Sequence, residues 1–102
     1  MKQKYLVLSA EELQKFQEET NWQIDKGHLF RSFSFSSYVK AANFVQSLAD
    51  FAEEQNHHPD ILLTWRKVSV WLVTHDSDGI TELDTKFALL TNNHFSSLNN
   101  DN

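Results

Sequence analysis

Residues 28–59 read HLFRSFSFSSYVKAANFVQSLADFAEEQNHHP, and the hydrophobic period changes in the middle of them. From His28 to Phe35 apolar and polar residues alternate, so Leu29, Arg31, Phe33 and Phe35 share one face of a strand and Phe30, Ser32 and Ser34 the other. Ser36 or Ser37 then serves as an N-cap. Beyond it Tyr38, Ala41, Ala42, Val45, Leu48, Ala49 and Ala52 recur at helical spacing, with Phe44 and Phe51 widening the stripe. The spacing predicts a helix over 38–55, stopped by a left-handed Asn56 and by Pro59, which cannot continue it.

Working outward, Trp22 and Ile24 alternate with Gln23 and Asp25 up to Gly27, so a second short strand precedes the first. The two runs flank Lys26 and Gly27 as an antiparallel hairpin. Ser9 and Glu12 form a capping box, and Leu8 and Leu13 a hydrophobic staple, which together predict a helix over 10–18 with Leu13 and Phe16 on its apolar side. Residues 61–74 are rich in Ile, Leu, Val, Thr and Trp, too β-prone for a helix and too long for one average strand. They divide near Arg66 and Lys67 into a second strand pair. Asp76, Ser77, Asp78 and Gly79 supply turn chemistry. Thr81 and Asp84 cap a last helix carrying Leu83, Phe87, Leu90 and Leu98, and the polar tail 96–102 is expected to fray. A β-β-α unit therefore occurs twice, over 22–55 and 61–98. The order α-β-β-α-β-β-α predicts one α+β domain spanning 1–102, a two-layer sandwich with a four-stranded antiparallel sheet and its helices on one face. The other face is left to solvent or to another subunit. Eight Phe, three Trp and two Tyr are a large apolar load for this length, and part of it is expected at an interface.

Composition removes several function classes. Nine Lys and Arg against fourteen Asp and Glu give a formal charge of -5, unlike the basic clusters that grip nucleic-acid phosphates. Cysteine is absent, which excludes disulfide scaffolds, Cys-ligated zinc and thiolate nucleophiles. Two glycines are too few for a P-loop or a dinucleotide-binding turn. The apolar stretch behind Lys2 and Lys4 is too short for a signal peptide, and no run approaches the length of a membrane span, so a cytoplasmic protein without membrane attachment is expected. Five histidines in this acidic chain are where chemistry can reside.

Taken singly, His57 and His58 are favourable charges at a helix C-terminus, and His75 is a surface residue at the end of the last strand. Taken together they carry more. In a two-layer fold the end of the long helix and the end of the final strand can lie at one edge, bringing His57, His58 and His75 together. Glu53 stands one helical turn before His57, and either Glu53 or Asp84 can orient an imidazole, although both carboxylates can equally cap or solvate their helices. Imidazoles titrate near neutrality and serve as acid or base. Adjacent histidines lack the i, i+4 spacing that puts two metal ligands on one helical face, and no HExxH or G-x-S-x-G occurs. His28 and His94 are assigned to surface and to the apolar stripe of the last helix.

The spacing Glu53-x3-His57-His58-Pro59-x5-Trp65-x9-His75-x8-Asp84 resembles the signature of the pterin-4a-carbinolamine dehydratases. Thr74-His75-Asp76 followed by Gly79-Ile80-Thr81 fits the same pattern, as do Leu8 through Glu12, Trp22, Phe30-Arg31-x-Phe33-x-Phe35 and Ala41 through Val45. The resemblance runs from about Leu8 to Leu90. It implies paired β-β-α units, and the dehydration of 4a-hydroxytetrahydropterin to quinonoid dihydropterin, which recycles the cofactor of aromatic amino acid hydroxylases. It implies no cofactor and no metal. His57, His58 and His75 match the family's active-site histidines; His57 and His75 are expected to transfer protons and His58 to hold the pterin. Glu53 and Asp84 match the family's acidic positions and are expected to support the site. Trp22 is expected either to wall the pocket or to sit in the core. One departure is Asp78, where relatives often carry Gly, and it bears on the loop after His75. The resemblance also implies a homo-oligomer, dimer or tetramer. The alternative function within the same fold is a non-catalytic dimerisation module of the transcriptional-cofactor type, and retention of all three histidines favours the enzyme.

Overall fold

A computed structural model describes residues 5–99. Helix α1 (Ala10–Thr20) starts at the capping box: Ser9 Oγ accepts from the Glu12 amide and Glu12 Oε1 from the Ser9 amide. It runs two residues beyond its expected end and stops at a left-handed Asn21. Strands β1 (Gln23–Asp25) and β2 (His28–Ser34) form the expected hairpin. Its turn residues Lys26 and Gly27 both have positive φ, 50° and 79°, the backbone twist that suits a two-residue hairpin. Helix α2 (Tyr38–Gln55) is capped by Ser37 and ended by a left-handed Asn56. Strands β3 (Asp60–Thr64) and β4 (Lys67–Leu72) flank a turn at Trp65 and Arg66. Helix α3 (Glu82–Asn99) is the last element among the described residues.

The sheet order is β1-β2-β4-β3, antiparallel throughout. The two hairpins are thus joined by their inner strands, β2 and β4, with Leu29 opposite Leu72 and Phe33 opposite Val68. The inner face carries Leu29, Phe33, Val68, Val70 and Leu72, all buried against Ala41, Phe44, Leu48 and Ala52 of α2 and Phe87 and Ala88 of α3. The α+β sandwich expected from the element order is the fold observed. Arg31 also faces inward. Its guanidinium lies 4.5 Å from the centre of the Phe33 ring and donates to Asn92 Oδ1 at 2.6 Å, and burial lowers its pKa.

Three expectations are corrected. The buried face of α2 is centred on Ala41, Phe44 and Leu48, leaving Tyr38 and Ala49 exposed. Phe44 removes more area from water than an alanine can, so the helix turns to put the ring at the centre of its contact. The last strand does not reach His75: β4 ends at Leu72, and His75 begins a single 3-10 turn (His75–Ser77). Finally, residues 96–99 continue α3, because Leu98 packs partly against the core; the rest of the expected tail lies outside the described residues.

Candidate active site

The site assembles around Asp84, a carboxylate in the first turn of α3 with no solvent exposure. Thr81 caps this helix. Its amide donates to Asp84 Oδ2 at 2.8 Å, and its hydroxyl accepts from the Leu83 amide at 3.2 Å. Thr74, buried just after β4, donates its hydroxyl to the same Oδ2 at 2.8 Å and lies 2.7 Å from the Thr81 hydroxyl. One polarised chain results, from the Leu83 amide through Thr81 Oγ1 and Thr74 Oγ1 to the carboxylate. The helix N-terminus adds a favourable field for the negative charge.

The other oxygen, Oδ1, reaches 27 residues back to His57 Nε2 at 2.6 Å. With Oδ2 already accepting from two donors, the carboxylate is the acceptor here and the imidazole donates from Nε2. The lone pair of the neutral ring is therefore on Nδ1. The His57 side chain is only 10% exposed, held by the end of α2 through its own amide on Ala52 O (3.1 Å) and edge-on to Phe87 at 6.4 Å between ring centres. This is the carboxylate–histidine arrangement that sets a tautomer and fixes the orientation of the ring. Asp84 serves both readings considered from sequence: it caps α3 and it orients His57.

His58 turns away, as an adjacent residue must, and pairs its Nε2 with Glu53 Oε2 at 2.6 Å on the surface, where both side chains are well exposed. His75 follows Thr74 directly and is exposed, its imidazole making no hydrogen bond among the described residues. In the loop after it Asp78 takes the left-handed conformation at φ 56° that a glycine would adopt freely. Through Thr74 and Asp84, His57 and the chain entering His75 are fastened to one carboxylate. Trp22 sits elsewhere: it is fully buried, edge-on to Phe33 at 6.1 Å, and donates Nε1–H to Asn92 Oδ1 at 2.7 Å. It takes the core role. His94 stacks on Phe44 at 5.7 Å, and the His28 ring lies 3.0 Å from Lys26 O.

The hydroxyls of Thr74 and Thr81 in the carboxylate network were not anticipated. A signal was present, since Thr74 falls on the buried register of a strand whose inward residues are otherwise apolar. Among the described residues no three His, Asp or Glu side chains converge in a metal-ligating group. A cavity of about 240 Å³ lies on the open sheet face between Asp25, Lys26, His28, Asp60 and Trp71, and none of the three motif histidines lines it. No helix among the described residues is long and apolar enough to cross a membrane.

Comparison with known proteins bears on this arrangement. The sequence profile described as pterin 4 alpha carbinolamine dehydratase matches residues 7–94. A protein of Rubrobacter xylanophilus, provisionally named a pterin-4-alpha-carbinolamine dehydratase, is 42% identical over 83 residues, covering 79% of this chain and 78% of its own length. A Prochlorococcus marinus protein with the same provisional name is 38% identical over 90 residues, covering 87% of this chain and 94% of its own. Among solved structures, a transcriptional coactivator/pterin dehydratase from Brucella melitensis superposes with a TM-score of 0.79 at 34% identity, covering 84% of this chain and 95% of that one. A pterin dehydratase-like protein described as a RuBisCO assembly factor in the alpha-carboxysome gives 0.59 at 28% identity, covering 70% and 82%. A profile match across nearly the whole chain, with relatives of this identity and coverage, establishes that the chain belongs to the pterin-4a-carbinolamine dehydratase family.

Proposed function

We propose that the chain dehydrates 4a-hydroxytetrahydropterin to quinonoid dihydropterin and water by histidine acid–base catalysis. The observation that carries this reading is the His57–Asp84 pair at 2.6 Å, with the chain entering His75 tied to the same carboxylate through Thr74. In the reaction the C4a–O bond breaks, the N5 proton leaves, and the N5 electron pair forms the new double bond to C4a. His57 receives the N5 proton at Nδ1, and the imidazolium so formed is stabilised by Asp84 through Nε2–H. His75 in its protonated form delivers a proton to the departing 4a hydroxyl, which leaves as water. Exchange of the two protons with solvent restores both rings, so atoms and charge balance without a cofactor. His58 and Glu53 form the exposed wall that holds the pterin.

The same reading carries with it a role in tetrahydropterin recycling for aromatic amino acid hydroxylases, in the cytoplasm. Homo-oligomerisation is part of the same reading, since the open sheet face carries Phe30 and Trp71 in ring contact at 5.0 Å and an exposed Leu62. The test is the decay of freshly generated carbinolamine followed by absorbance. The wild-type chain accelerates it, and His57→Ala or His75→Ala each lowers the rate by about 10²-fold or more, the usual scale of acid–base catalysis. Wild-type rates equal to the uncatalysed reaction overturn the proposal. The second reading, a non-catalytic binding module, draws on the structural neighbour described as an assembly factor. It is favoured if the chain is inactive and its histidine variants behave as wild type.

A further inference from the structure

The three motif histidines are aimed by different means. His57 has Asp84 and His58 has Glu53, each at 2.6 Å. His75 has no such partner among the described residues, so what fixes the position from which its imidazole reaches out is its backbone. That backbone is a small closed loop. Thr74 and Gly79 exchange amide hydrogen bonds of 2.9 and 3.4 Å, and the Ser77 and Asp78 amides fold back onto Thr74 O and His75 O. On the inside, Thr74 is fastened to Asp84. On the outside the loop is hydrogen-bonded to another segment of the chain.

What it meets is the segment before α1. Ser77 Oγ donates to Tyr5 O at 2.7 Å, and the Leu8 amide donates to Ile80 O at 2.9 Å. Between these two anchors Val7 lies directly on Gly79: a Cβ added to Gly79 would stand 2.9 Å from both Val7 methyl carbons, closer than real contacts permit. Val7 is half exposed and Leu6 is 87% exposed, so burial of apolar area does not account for where these two residues run. The segment's own footing is firm, because Leu8 packs against the core and Ser9 opens the capping box of α1.

We propose that residues 5–8 act as a strap that positions His75, with Val7 and Gly79 as its close contact and Ser77 as its hydrogen-bonded clasp. None of these residues touches substrate; they act by holding the loop. The activity arm of the test rests on the dehydratase reading above, and a spectroscopic arm does not.

The experiment is a compensating pair. The backbone of Gly79 lies outside the left-handed region, so Gly79→Ala carries no left-handed strain, and the three atoms nearest its new methyl all belong to Val7. The variant should shift and broaden the His75 imidazole signals in a nitrogen–proton NMR spectrum while leaving those of His57 in place. It should lower kcat by between about 10- and 100-fold with KM little changed, the scale expected when a catalytic group is misplaced by a fraction of an ångström to one ångström. Adding Val7→Ala removes both methyl carbons at 2.9 Å and leaves the Val7 Cβ position at an ordinary 3.5 Å. The double variant should recover the wild-type His75 signals and rate. Unmoved His75 signals in Gly79→Ala, or a shift that Val7→Ala fails to reverse, overturns the strap. If the wild-type chain proves inactive, the dehydratase reading fails and the NMR arm still decides this one. If Gly79→Ala does not fold, Ser77→Ala carries the test: loss of the 2.7 Å clasp should broaden the His75 signals, and unchanged signals overturn the proposal.

Discussion

Replacing Asp84 by Asn changes the side-chain volume very little and reverses the proton logic of His57. In the wild-type site three donors converge on the carboxylate: the Thr81 amide and Thr74 hydroxyl on Oδ2, each at 2.8 Å, and His57 Nε2–H on Oδ1 at 2.6 Å. Asparagine has one acceptor oxygen. Turned toward Thr81 and Thr74 it keeps two bonds and points its NH2 at His57; turned the other way it keeps one and sets NH2 against the Thr81 amide. The first orientation wins, because an unpaired buried backbone donor costs about 1–3 kcal/mol whereas a neutral imidazole can answer a donor by changing tautomer. The proton of His57 then moves to Nδ1, the nitrogen that has to accept. The rate should fall by about 10²- to 10⁴-fold, the contribution of one positioned acid or base. Stability should change far less. Charge-assisted hydrogen bonds worth about 1.5–3 kcal/mol become neutral ones worth about 0.5–1.5, while a buried charge is removed, and the net loss should be about 1–3 kcal/mol. At about 4–8 °C per kcal/mol for a domain of this size, the variant stays folded at 25 °C. The assay pairs carbinolamine decay with nitrogen-15 chemical shifts of His57, which distinguish the two tautomers. A folded variant whose rate lies within about threefold of wild type, well inside the range that acid–base catalysis spans, refutes the assigned role. So does a His57 that keeps its proton on Nε2 while activity is lost. Asp84→Ala is the poorer probe, since it strands the Thr81 amide and His57 Nε2–H together and tests folding instead.

Phe44 has ring contacts at 5.0–5.9 Å with Phe33, Phe35, Phe95 and His94, so Phe44→Ala should cost about 3–5 kcal/mol in urea unfolding, more than any exposed position on α2. Asn92→Ala leaves Trp22 Nε1–H and the half-buried Arg31 guanidinium without their shared acceptor; a loss of about 2–4 kcal/mol is expected, with carbinolamine turnover of the folded fraction unchanged. Glu12, hydrogen-bonded to the Ser9 amide and hydroxyl, has its carboxyl pKa held below the ordinary 4.5. A lowered folded-state pKa contributes stability that is present above 4.5 and disappears as pH falls through the folded value. The melting-temperature difference between wild type and Glu12→Gln should therefore be seen at pH 7 and vanish in acid, and a difference that persists there contradicts the capping box as its source.

Much of the fold was legible because the interactions that shape each element are local. The caps at Ser9, Ser37 and Thr81, the stop at Asn56 and the Lys26–Gly27 turn each involve groups within four residues of one another, and so they are written in the chain. The change of period between His28 and Gln55 rests on which face of a strand or helix a residue occupies. On α2 side-chain size overrides that periodicity. Counting apolar positions gave alanines the weight of phenylalanines, and α2 turned to bury Phe44 instead of Tyr38.

For the candidate site the division is sharper. His57, His58, His75, Glu53 and Asp84 stand out from spacing, residue type and family resemblance. Which carboxylate meets which ring does not, since Glu53 and Asp84 are both acidic residues near a helix end in a linear reading. Asp84 reaches His57 only because α3 packs beside α2, and Thr74 joins it only because β4 runs down the middle of the sheet. Those contacts span 27 and 10 residues and depend on burial, which excludes water and leaves the carboxylate to protein donors. The N-terminal segment shows the same boundary. Its sequence announces a helix start at Ser9, while its grip on Gly79 exists only once the chain has closed on itself. Sequence alone determined the elements, their order and the histidines on offer, because those follow from short-range backbone chemistry and residue identity. Tertiary structure decided which nitrogen of His57 holds its proton and what aims His75, because both depend on groups brought together from distant parts of the chain.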